Sequence, residues 1–214
     1  MVSAEDERSG PVVESAAAPV VAEVGESCSL SDTSRTERTF VATTLRPGMD
    51  EYAPAFAGYV ARVAVDEDIV AVLASQLDQV LDLLGRIGED RADFRYATGK
   101  WSTKEVTGHL SDTERVFAYR ALRIGRGDTT PLPNFDDQAY VAELRTHDRT
   151  LADFATEWGT VRRATLALFR GLPDAAWCRR GIASDQPISV RALAYVTAGH
   201  TRHHADVLQA RYTG

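Results

Sequence analysis

The feature that most constrains this chain is a helix start written at Ser102. Ser102-Thr103-Lys104-Glu105 has the S-x-x-E form of a capping box. In that motif the serine hydroxyl accepts from the backbone N–H three residues on, and the glutamate accepts from the serine N–H. Trp101 and Val106 flank it at the positions of a hydrophobic staple. The segment then runs free of proline to Gly125 or Gly127, and Val106, His109, Thr113, Val116, Phe117, Arg120 and Ile124 recur on one face. An apolar stripe of this kind must be covered by other helices, which commits the chain to helix-on-helix packing.

Three more stretches read the same way. Val70, Leu73, Leu77, Val80, Leu81 and Leu84 sit at helical spacing ahead of Gly85 or Gly88, with Asp66 as the expected N-cap and Glu67 and Asp68 in the first turn. Leu151, Phe154, Trp158, Val161, Leu166 and Phe169 line a helix from about Thr150 to Arg170, stopped by Gly171 and Pro173. The last helix starts at Ser189, with Ile188 and Leu193 as a second staple, and reaches Tyr212. Phe56 to Val63 is expected to be a short packed segment. Trp177 and Cys178 are read as structural filler in a loop. No internal repeat and no β-rich segment is expected. Residues 127–148 form a long connection in which Pro131 and Pro133 break any helix, with room for a short helix between Asn134 and Leu144. A link of that length points to a crossover along the bundle rather than a tight hairpin. His147, within it, is read as an exposed loop residue.

The chain has 214 residues, 44% hydrophobic and 26% charged, which suits one globular domain with a tail. Residues 1–40 hold eight acidic and three basic residues and a single aromatic one, Phe40. Such a stretch buries too little apolar surface to offset its ordering entropy, so residues 1–44 are read as a flexible acidic arm and residues 45–214 as the folded domain. The formal net charge of -7 argues against nucleic-acid binding, which calls for a basic face. No apolar run of membrane-spanning length is present, and Met1 to Gly10 lacks the order of a signal peptide. Two cysteines, Cys28 and Cys178, make neither a disulfide framework nor a cysteine zinc site, and the expected compartment is the reducing cytoplasm.

Chemistry concentrates in the histidines. Of five in the chain, three fall between residues 200 and 204. His200 and His204 lie one helical turn apart on a face shared with Leu193, Val196 and Val207, and His109 lies on the inner face of another helix. A neutral imidazole buried alone costs free energy unless its nitrogens find partners, and one shared cation satisfies three at once. Three protein nitrogens with positions left over is the arrangement of a catalytic zinc site. His203 points away from the pair and is read as a surface or supporting residue. The segment is not HExxH, since Thr201 stands where the general-base glutamate would be. No phosphate-binding glycine loop and no nucleophile elbow is present.

Two stretches resemble a known family. Gly99-Lys100-Trp101-Ser102-Thr103-Lys104-Glu105-Val106-Thr107-Gly108-His109-Leu110-Ser111-Asp112-Thr113-Glu114-Arg115 is similar to the second-helix signature of the DinB/YfiT-like metalloprotein superfamily. Ala198-Gly199-His200-Thr201-Arg202-His203-His204 is similar to that of its last helix. The resemblance spans roughly Leu45 to Tyr212 and implies an all-α, DinB-like four-helix bundle with a long crossover between the second and third helices. It also implies a divalent metal, zinc or nickel first and iron or manganese next, held by His109, His200 and His204. For activity it implies thiol-dependent S-transfer with a low-molecular-weight thiol co-substrate. The alternatives are a metal-dependent hydrolase and a non-catalytic metal-binding or partner-binding bundle. The thiol-histidine branch uses His-x-x-x-His-x-Glu, and Asp206 departs from it here. The expected partners are a small-molecule substrate and a second copy in a homodimer, with neither nucleic acid nor membrane. Asp112, one turn past His109, is a candidate to orient a ligand or to sit in a salt bridge. Arg120, facing inward, is a candidate to meet an anionic substrate or a neighbouring carboxylate. No general acid or base is assigned.

Overall fold

A computed structural model describes residues 45–213. The expected acidic arm, residues 1–44, and Cys28 within it lie outside the described residues. The rest is mostly helical: a short α1 (Ala57–Val60), α2 (Ile69–Ile87), α3 (Thr103–Gly125), α4 (Asp137–Ala142), α5 (Leu151–Arg170), α6 (Asp174–Trp177) and α7 (Val190–Arg211).

The caps set the boundaries. The Ser102–Glu105 box forms in full, with the Ser102 N–H donating to Glu105 Oε2 at 2.6 Å and the Glu105 N–H donating to Ser102 Oγ at 3.2 Å. A second box, Thr150 with Asp153, opens α5, and Ser189 Oγ caps α7 by accepting from the Ala192 N–H. The start of α2 is two residues later than its acidic run suggests. Asp68, not Asp66, is the cap, accepting from the Val70 and Ala71 N–H groups at 2.8 and 3.0 Å. Glu67 is drawn off instead to accept from the Ala64 N–H and to pair with Arg202 of α7.

The four long helices form a ring in the order α2, α5, α3, α7, so that α2 lies diagonal to α3 and α5 to α7. One end of the bundle holds the C-termini of α2 and α7 and the N-termini of α3 and α5. There the Leu151 N–H donates to Glu89 Oε2 at 2.8 Å, Lys104 Nζ to Thr146 O at 3.1 Å, and Tyr212 Oη to Trp101 O at 2.7 Å. Helices α3 and α5 are therefore parallel neighbours, and the segment joining them must return along the whole bundle. That is the long crossover expected from its length, and α4 is the short helix inside it.

A β-hairpin was not anticipated. Strands β1 (Arg180–Ala183) and β2 (Gln186–Ser189) pair antiparallel through Arg180↔Ser189 to Ala183↔Gln186. Ser184 and Asp185 turn between them at φ 54° and 59°, as a two-residue hairpin turn of this hand requires. Each strand has four residues, too few for an alternating pattern to stand out. The Leu132 N–H donates to Ile182 O at 2.9 Å, pinning the hairpin to the crossover. Trp177 belongs to α6 rather than a loop, and its buried ring stacks on Phe169 at 5.4 Å.

Helix α7 is not amphipathic in its first half. Every residue from 192 to 201 is buried, because α1 covers the side that α2 and α3 leave open. Gly199 makes this possible: a Cβ there would lie 2.0 Å from Tyr59 O. The core divides into two apolar clusters, one built on Phe117, Leu193 and Trp177, the other on Leu84, Trp158 and Tyr212.

Candidate metal centre

Between those clusters lies a polar layer to which each long helix contributes. Gln76 stands on α2 between Leu73 and Val80, Glu114 on α3 between Leu110 and Phe117, and Arg162 on α5 between Trp158 and Leu166. Helix α7 supplies His200, Thr201 and His204.

Arg162 is wholly buried and holds the layer together. Its Nε and Nη2 donate to the two Glu114 carboxylate oxygens at 2.7 and 2.8 Å. Nη1 donates to Gln76 Oε1 at 2.8 Å and to Leu73 O at 3.0 Å, while Nη2 also reaches Thr201 Oγ1 at 2.8 Å. Gln76 Nε2 donates on to Ala198 O at 2.8 Å. All five guanidinium N–H groups thus have acceptors, which is what a buried charge pair needs.

Beside this network the three histidines converge. His109 Nε2 is 2.9 Å from His200 Nε2, and His204 Nε2 is 3.1 Å from the same atom. One ligand nitrogen from each lies within 4.8 Å of the other two. His109 and His200 are each 5% exposed, and His204 is half-buried. Burial pushes His109 down to about 4, with help from His203 nearby. Burial, then the neighbouring imidazoles, hold His200 and His204 well below their usual value.

Neutral imidazoles at these distances pose a counting problem. The Nε2 of His200 can donate one hydrogen or accept one, but two other Nε2 atoms face it. At most one of the two contacts is then a proper N–H···N bond. A cation among the three lone pairs satisfies all of them, and neutral imidazole nitrogen is a preferred donor for divalent zinc and nickel. The donor set therefore fits such an ion.

The surroundings fix the rings. Thr113 Oγ1 lies 3.4 Å from His109 Nδ1, one turn on along α3. The Trp101 ring packs on His109 with centroids 4.7 Å apart. Tyr59 and Phe117 meet His200 edge-on at 5.4 and 6.1 Å. His203 falls outside the cluster, with Nδ1 3.3 Å from Arg62 Nη2. Asp112 turns to Arg115 at 3.1 Å, so it takes the salt-bridge alternative. His147 is exposed and Cys178 half-buried, and neither belongs to the cluster.

The residues missed from sequence were Tyr59, Gln76, Glu114 and Arg162. For the last three a signal existed: each is polar at a position its helix's apolar stripe assigns to the core. Tyr59 offered none, since the packing of α1 on α7 is a long-range contact.

A family model of the DinB superfamily matches residues 73–208, a span that includes all three clustered histidines. No curated protein matches the chain. Among solved structures, the chain is similar to YfiT from Bacillus subtilis, described as "a probable metal-dependent hydrolase with an unusual four-helix bundle topology". The identity is 18% and the TM-score 0.60, over 66% of this chain and 82% of that one. It is also similar to YjoA, a DinB-like protein from Bacillus subtilis, at 20% identity and a TM-score of 0.49, over 68% and 90% of the two chains. The likeness to YfiT is one of fold, and the family match covers most of the bundle. The chain belongs to the DinB superfamily.

Proposed function

We propose that His109, His200 and His204 hold a divalent metal ion, zinc or nickel, and that the protein is a metal-dependent enzyme of nucleophilic transfer. The observation that carries this reading is the meeting of three Nε2 atoms round His200, with no hydrogen-bonding scheme that satisfies them all. When bound, the ion supplies Lewis acidity, lowering the pKa of a water or thiol that meets it.

The chain's own residues do the rest. His109 and His200, on antiparallel neighbours, fix two directions of approach, and His204 completes the triangle one turn on. Thr113 holds the His109 ring from behind through Nδ1. The Trp101 ring packs on His109, and Tyr59 and Phe117 line the His200 side with aromatic edges. His204, the least buried of the three, is the side from which a small-molecule substrate would meet the ion. Thr201 stands where the general-base glutamate of HExxH would be, which favours a nucleophile acidic enough to ionise with Lewis-acid help alone. A thiol meets that condition more easily than water, so S-transfer with a low-molecular-weight thiol is the first reading. Hydrolysis, the activity in the description of YfiT, is the second. No helix among the described residues is long and apolar enough to cross a membrane, in keeping with a cytoplasmic enzyme, as a monomer or homodimer.

Metal-loaded protein assayed with electrophilic acceptors, with and without added thiols, separates the two. S-transfer predicts turnover that requires thiol, and hydrolysis predicts turnover without it. His200→Ala abolishes either while helical content persists. A variant that only melts earlier, from a wild type inactive in every assay, would leave a structural ion.

A further inference from the structure

The bundle holds two deeply buried arginines, and they are treated differently. Arg162 has a carboxylate on it. Arg120, 2% exposed, has none within reach among the described residues. Its partners are neutral and meet one nitrogen: Nη2 donates to Pro133 O at 2.8 Å and to Ser184 Oγ at 2.9 Å. Ser184 Oγ in turn donates to Asn134 Oδ1 at 3.0 Å, so the guanidinium is held in place by the crossover and the hairpin turn. Three N–H groups, on Nε and Nη1, remain without an acceptor. They are not sealed in, because the fully occluded orphan side-chain nitrogens among the described residues are Arg91 Nε and Trp158 Nε1. Those of Arg120 keep a slight solvent contact in a side chain that is 2% exposed overall.

Arg120 shares its helix face with the metal centre. Eleven residues separate it from His109, which returns it to within about 20° of the same direction, roughly 16 Å further along α3. Phe117 stands between them and touches both the His200 ring and Phe56, each at 6.1 Å between centroids. The guanidinium lies 5.6 Å from the centre of the Phe135 ring. The face therefore runs from three imidazoles, past aromatic rings, to a buried positive charge with free donors.

We propose that Arg120 is the anion-recognition residue of this site, and that its substrate is a carboxylic acid whose apolar or aromatic body reaches from the guanidinium past Phe117 towards the imidazoles. The inference rests on the metal-centre reading for the position of the reacting group, but not for the binding of the carboxylate. One guanidinium with no second cation in contact suits a monoanion better than a phosphate dianion. A pocket built to pair a charge rejects a neutral isostere strongly, since the buried donors are then left unmet.

Benzoate and its neutral analogue benzamide are suitable probes, titrated calorimetrically into zinc-loaded full-length protein whose metal content is measured on the same sample. Benzoate should bind at least tenfold more tightly than benzamide. Arg120→Gln should remove that preference at unchanged metal content, and Arg120→Lys should restore part of it. Arg126→Gln, which removes an exposed positive charge beyond the end of the same helix, serves as the control and should keep the preference. Equal binding of the two probes overturns the proposal. So does a benzoate preference that survives Arg120→Gln yet vanishes when the metal is stripped, since the carboxylate would then sit on the ion. A protein that takes up no metal but still shows an Arg120-dependent preference sinks the metal reading and leaves this one standing.

Discussion

His109, His200 and His204 are neutral in the folded chain because burial and mutual repulsion disfavour their charged forms. The unfolded chain binds protons on these rings near pH 6.5, whereas folded His109 waits until about 4. Between those values the unfolded state holds more protons, so stability rises with pH across the window and is lost on acidification. Metal-free protein should accordingly unfold at lower urea concentration at pH 4.5 than at pH 7, and His109→Gln should flatten that dependence. Gly199 carries a second residue-scale prediction. A methyl group there meets the Tyr59 backbone, not a flexible side-chain tip, so Gly199→Ala should cost about 1–3 kcal/mol, measurable by urea denaturation, and loosen α1 from α7. The three histidines were legible because the residue type is scarce and the helical phase brought them inward. Tyr59 was not legible, because its place depends on a contact across 141 residues that no local pattern encodes.

At the scale of elements, the capping chemistry was readable where the motif satisfied itself. Ser102 with Glu105 and Ser189 fixed their helices as expected. It misled where several acids competed, and Asp68 rather than Asp66 caps α2 because Glu67 answers to Arg202 on a distant helix. The hairpin leaves no local pattern in the sequence, because its strands are short and Leu132 pins it from outside. The Arg162–Glu114 pair joins elements that no short-range pattern could pair. Removing the cation alone leaves a buried carboxylate unmatched, so Arg162→Met should cost about 3–5 kcal/mol. Arg162→Met with Glu114→Gln should recover a substantial part, because the uncompensated charge is gone. A urea-denaturation series on the wild type, both single variants and the double variant checks this. Simple additivity of the two losses would contradict the coupling drawn here.

The molecule as a whole is two apolar clusters separated by a polar waist. Helices α3 and α7 cross the waist as antiparallel neighbours, and the histidines bridge them at that level. The Arg162 network lies alongside and engages all four long helices, so the geometry of the centre is set by the register of the whole bundle. An ion bound there would stabilise the fold by linkage, by about 2.7 kcal/mol at a free concentration a hundred times its dissociation constant. Thermal unfolding should therefore shift upward with added zinc or nickel and not with magnesium, whose preference is for oxygen donors. The most direct test strips the full-length protein, reloads it with zinc against a competing chelator, and counts ions by elemental analysis. The wild type should take up one ion per chain, and His109→Ala and His200→Ala should lose it with helical circular dichroism retained. No stoichiometric uptake by the wild type, or undiminished uptake by both variants, would contradict the three-histidine site.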